Sequence, residues 1–100
     1  MKYVLLERKE KQYKGKKVLF EKWVEPRSKS GIVFYSNVKP KGSIYYVVEG
    51  YGIGTIDPKT FSEIPGVGCA PIQRSEYRSL AEAREGLAKL MKSNIEVATG

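Results

Sequence analysis

The apolar pattern of this chain changes period once, near residue 78, and that change dictates a sheet followed by a helix. Upstream, short runs of β-branched and aromatic residues alternate with glycine and proline turns. Downstream, Leu80, Ala83, Leu87, Leu90 and Met91 recur at helical spacing. The chain is therefore expected to be a single α+β domain spanning residues 1–100, with an antiparallel β-sheet of four to six strands and one C-terminal α-helix packed on one face.

Within the β-rich part, residues 2–57, strands are expected at 2–8, 18–25, 32–38 and 43–49. The apolar run Val4–Leu6 points to a first strand covered on both faces in its middle. Gly15 marks the first turn and Pro26 the end of the second strand, because proline has no amide to give to a ladder. The glycine-rich stretch 50–57 reads as a strand or a loop, with a short strand at 51–57 as one outcome. Residues 58–71 read as a loop, including a surface turn at Ile64–Gly68, and 72–77 as a short return to the sheet.

Ser79 and Glu82 have capping-box spacing, so the helix is expected over 79–92. Asn94 suits its end, and 95–100 are expected to fray. Gly86 interrupts the helical run at a cost of about 1 kcal/mol against alanine, a mark of close approach to the sheet. One helix covers one face of a sheet. Because apolar residues occupy both faces of several strands, the other face must curl on itself, pair with a second copy as a homodimer, or meet another partner.

The chain has no histidine and one cysteine, Cys69. Without histidine the Ser-His and Cys-His nucleophilic pairs are excluded, and zinc lacks its usual ligands. Cys69 sits between Gly68 and Ala70 with no base within three residues to lower its pKa, so it reads as structural or incidental. Asp57 is the sole aspartate, and no paired-carboxylate spacing suggests a metal site. Gly50–Gly54 follows a strand but does not open into a helix, as a phosphate loop must. No catalytic residue, metal or cofactor is expected, and the chain is read as a non-enzyme. A lone cysteine suits a reducing compartment, and no apolar run has the length of a membrane span. A cytoplasmic location follows, in the host cytoplasm if the protein is viral.

What remains is charge. The net charge is +7, and residues 1–29 carry ten Lys or Arg against four Glu. Lys9, Lys11, Lys14, Lys16 and Lys17 gather around the first hairpin tip with Tyr13 among them. Arg27 and Lys29 lie on the second turn, Lys39 and Lys41 on the third. In a meander the first and third turns share one end of the sheet, so their lysines can form one patch. Such a patch meets phosphates in a salt-dependent, sequence-tolerant way, with Tyr13 as the stacking residue. The competing explanation is that lysines at hairpin tips keep sheet edges soluble. The first functional expectation is a small nucleic-acid-binding protein using this basic β-hairpin. The alternative is a protein-interaction or inhibitor module acting through an apolar sheet face with Tyr35, Tyr45 and Tyr51.

The segment Glu76-Tyr77-Arg78-Ser79-Leu80-Ala81-Glu82-Ala83, a short strand feeding a helix, resembles the final strand–helix step of small DNA-binding domains such as the N-terminal modules of phage integrases. The likeness covers under a quarter of the chain and is shared by many sheet-then-helix domains that bind no nucleic acid. In size and composition, including a lean toward Lys and Glu over Asn and Gln, the chain is similar to small single-domain proteins of viruses and mobile elements, those of thermophilic archaea among them.

Overall fold

A computed structural model describes residues 3–64 and 71–99, with side chains as far as Lys92. Cys69 and the expected turn after Ile64 lie outside the described residues. The elements are β1 (Val4–Tyr13), β2 (Lys16–Glu25), β3 (Ser30–Val38), β4 (Ile44–Tyr51), β5 (Gln73–Tyr77) and α1 (Leu80–Thr99). The strands form one antiparallel meander in chain order, so the α+β class read from the sequence is the one observed.

The turns follow from local chemistry. β1 and β2 are joined by Lys14 and Gly15 alone, at φ 52° and 74°. Positive φ at both central residues belongs to the mirror-image turn whose twist matches that of the flanking strands. β2 stops at Glu25, immediately before Pro26. The Ser79 hydroxyl accepts the Glu82 amide at 3.2 Å, one half of the anticipated capping box.

α1 packs across β3, β4 and β5. Its buried stripe is Ala83, Leu87 and Leu90, meeting Tyr3, Ile32, Phe34 and Val48, with Leu19, Trp23, Tyr46 and Tyr77 closing the margins. Burying a side chain such as Phe34 or Ile32, both fully enclosed, contributes about 1.5–3 kcal/mol. Leu80, at the helix start, stays 40% exposed. The close approach anticipated at Gly86 is present. A Cβ there would fall on the Tyr77 hydroxyl, so the small residue lets the helix settle onto that ring.

Several features differ from the sequence reading. β1 runs on through charged residues to Tyr13, because ladder hydrogen bonds, and no apolar face, define it there. It is also an edge strand bulged between Leu5 and Glu7, and Val4, Leu5 and Leu6 remain substantially exposed, not covered on both faces. Residues 52–57 form no ladder strand. The Gly54 amide bonds the Ser28 carbonyl, and the Thr55 and Ile56 amides bond that of Lys29, drawing this segment beneath the β2–β3 turn while β5 takes the sheet edge. Finally, α1 passes through Asn94 to Thr99; residues 93–99 contain no glycine or proline to stop it.

The face opposite α1 is partly covered by the chain itself. Ile56 is fully buried, and Phe61 lies where a side chain on Gly31 would stand. Of the three fates foreseen for that face, curling on itself accounts for this end of the sheet.

Candidate nucleic-acid interface

Register decides which of the basic residues stand together. β2 pairs with β3 only from Phe20↔Tyr35 inward. One residue farther out, the Leu19 amide bonds the Ser36 hydroxyl at 2.7 Å, and no third strand continues the ladder. The pairs Glu10↔Leu19, Lys11↔Val18, Gln12↔Lys17 and Tyr13↔Lys16 therefore form a two-stranded ribbon that leaves the sheet. At about 3.4 Å per residue it runs roughly 15 Å past the last β2–β3 pair, while the β3–β4 ladder continues to Val38↔Ile44.

Antiparallel partners share a face, and strand residues alternate between faces. Lys9, Lys11, Tyr13 and Lys16 thus lie on the open side of the sheet, away from α1, in phase with Phe20 and Lys22. Lys14 occupies the turn, its ammonium 5.4 Å from the Tyr13 ring centroid. Lys17 falls on the other side and pairs with Glu10 at 3.2 Å. Lys39 sits at the third turn with its ammonium 5.3 Å from the ring of Tyr45, an open-face residue, and Lys41 follows in the same exposed turn.

Arg27 and Lys29 are at the opposite end of the meander. Lys29 lines a separate concavity there with Asp57, Lys59 and Glu63, where charges of both signs mix. The ten sequence candidates therefore divide into one group at the ribbon end, one at the far end, and Lys17 on the reverse side.

Sequence reasoning offered Tyr35 and Tyr51 as part of an apolar sheet face, and missed that they join the lysines at the base of the ribbon. An open groove of about 590 Å³ crosses the sheet, with Lys9 and Lys11 from β1, Phe20 from β2, Tyr35 from β3, and Glu49 and Tyr51 from β4 among its lining. Lys22 stands beside it, its ammonium 5.6 Å from the centroids of both Phe20 and Phe61. The carboxylates on this face have cationic neighbours. Glu49 lies 3.7 Å from Arg74 Nε, and Glu76 accepts from Arg74 Nη1 at 2.8 Å. Glu7 is within 4 Å of Lys9 and Lys22. The Arg74 hydrogen bond, with its charge, holds the Glu76 carboxyl below the usual carboxylate range. Lys11 and Lys16 make no ion pair among the described residues, so their charge is available. The signal that points to this groove is phase: positions 20, 22, 33, 35, 49 and 51 alternate in step with Lys9 and Lys11 once the ladders are known.

A buried gathering of acid and arginine lies on the other face. Glu21 is 1% exposed. One of its oxygens accepts from Arg84 at 2.7 Å and the Trp23 indole at 3.0 Å; the other accepts from Arg84 at 2.8 Å and Arg8 at 3.1 Å. Burial alone would raise its pKa, but the Arg84 and Trp23 hydrogen bonds and the two guanidinium charges outweigh it and the carboxyl is held low. Arg84 also stacks on Phe34, 4.4 Å from the ring centroid. This saturated cluster fastens helix to sheet. Among the described residues no three potential metal-ligating side chains come together, and no helix is long and apolar enough to cross a membrane.

Fold and surface together define a five-stranded meander with one helix, a projecting basic ribbon and an aromatic open face. Comparison with protein-family models, with curated proteins and with solved structures finds no match for this chain.

Proposed function

We propose that this protein binds nucleic acid without catalysing a reaction on it, through the basic ribbon and the adjoining open face of the sheet. The observation that carries the reading is the ribbon's geometry. Beyond the last β2–β3 pair it carries Lys11 and Lys16 on one side, in phase with Lys9 at its base, and Lys14 at its tip. Lysines so placed contact phosphates and release counterions, and a two-stranded ribbon is narrow enough to follow a nucleic-acid groove. Lys39 and Lys41 extend the cationic surface from the neighbouring turn, while Arg27 and Lys29 belong to the far end and contribute little.

The test is fluorescence anisotropy with labelled single- and double-stranded DNA and RNA, at low and then physiological salt. Binding is expected to weaken steeply with salt, and the triple change Lys11→Glu, Lys14→Glu, Lys16→Glu to cost at least about a hundredfold in affinity at low salt. Absence of binding at low salt overturns the reading. The second reading, a protein-interaction surface, then draws on the exposed Val4, Leu5 and Leu6 of the bulged edge strand.

A further inference from the structure

We infer that the groove on the open face takes unpaired bases, so that the preferred ligand is single-stranded nucleic acid; this rests on the nucleic-acid reading above. Phe20 and Tyr35 are ladder partners, and both line the groove. Tyr51 lies at its β4 side, held edge-on by Phe61 at 6.1 Å and 86°. Phe61 is itself set against the backbone of Gly31, where any side chain would displace it. The rings at this end are thus positioned before a ligand arrives, which lowers the ordering cost of stacking.

Aromatic rings within a cationic groove are the general means of holding a strand whose bases are free to turn outward. Lys9 and Lys11 are two residues apart on β1, roughly 6.8 Å along the strand, close to the separation of successive phosphates on an extended strand. Lys22 adds a third cation beside Phe20. The carboxylate that intrudes, Glu49, has Arg74 beside it at 3.7 Å. In a duplex the base faces are covered by neighbouring pairs and only their edges reach the grooves, so these rings have nothing to stack on. The charge balance favours a polyanion over an apolar peptide or a second copy of this chain, because Lys9, Lys11, Lys16, Lys22 and Arg74 outnumber Glu7, Glu49 and Glu76 on this face.

The experiment titrates wild-type protein into three labelled probes: an oligothymidylate of about twelve nucleotides, an abasic strand of the same length, and the matching duplex. An oligouridylate arm separates DNA from RNA within the single-stranded class. The abasic strand keeps every phosphate and lacks every base. Oligothymidylate is expected to bind at least about tenfold tighter than the abasic strand, and more tightly than the duplex. Tyr35→Leu, which keeps most of the apolar bulk, is expected to narrow the gap between the two strands by weakening oligothymidylate binding more than abasic binding. Circular dichroism checks that the variant is folded, and the wild-type comparison stands without it. Equal affinity for base-bearing and abasic strands, or tighter binding of the duplex, overturns the inference while leaving phosphate binding by the ribbon intact. Binding to none of the probes at low salt overturns both.

Discussion

Glu21 joins parts of the chain that are distant in sequence. Arg8 from β1 and Arg84 from α1 meet at one carboxylate on β2 that solvent barely reaches. Removing one partner of such a cluster leaves charge without compensation. Both arginines keep partial access to water, so the cost falls below that of a wholly enclosed pair. Glu21→Gln is expected to destabilise the protein by about 2–3 kcal/mol near neutral pH, read by urea unfolding. The pH dependence has a definite sign. The folded-state pKa lies below the ordinary value of 4.5, so the carboxylate's contribution is complete above that pH and is lost as pH falls through the folded value. The gap between wild type and Glu21→Gln should therefore narrow at about pH 3; a gap that stays constant would place the stabilisation in hydrogen-bond geometry and not in charge. The local sequence signals this cluster only in part. Glu21 shares its face with Leu19 and Trp23, an acid in phase with apolar neighbours, but its partner Arg84 lies 63 residues away.

At the scale of the element, features set by neighbouring residues were legible and those set by tertiary contact were not. Gly15, Pro26, the Ser79 cap and the stripe Ala83–Leu87–Leu90 all act within a few residues, and each stands where the sequence puts it. The ribbon's full length was hidden, because a two-stranded arm exposed on both sides needs no apolar alternation to be a strand. The loop after Tyr51 was hidden too, since its path depends on the carbonyls of Ser28 and Lys29. For the site, the lysines were legible as charge, but their division between faces and ends required the register. Gly86 lies between these cases: its cost to the helix is local, its reason tertiary. Gly86→Ala gains about 1 kcal/mol of helix propensity but drives a methyl into Tyr77, and overpacking of this kind costs about 1–3 kcal/mol. The single variant is expected to melt below wild type. In a Tyr77→Leu background the same change is expected to raise stability, because the colliding ring is gone. A Gly86→Ala variant that melts above wild type in both backgrounds would show that the Tyr77 ring yields without cost.

At the scale of the whole molecule, the two sides of the sheet have separate tasks. One is sealed by α1 and held by Glu21; the other is closed at one end by Ile56 and Phe61 and open at the ribbon end. Covering that open side with a second copy was one expectation from the sequence, and the charge distribution bears directly on it. The net charge of +7 resides largely in residues 1–29, and four lysines of that segment, Lys9, Lys11, Lys16 and Lys22, lie on the open face. A face-to-face pair would bring these like charges together, and at low ionic strength their repulsion is screened only beyond roughly 10 Å or more. Salt therefore acts in opposite directions on the two uses of this surface. It weakens the hold on a polyanion by reducing the gain from counterion release, and it weakens the repulsion between copies. Sedimentation equilibrium at low salt is expected to give the monomer mass, with any association appearing only as salt is raised, while anisotropy follows nucleic-acid affinity falling over the same range. A dimer that persists at low salt, and that Lys11→Glu does not strengthen, would mean that the copies meet elsewhere, for which the exposed Val4–Leu6 edge of β1 is one available surface. A low-salt dimer displaced by oligonucleotide would instead mean that the open face serves both, with the nucleic acid competing for the groove.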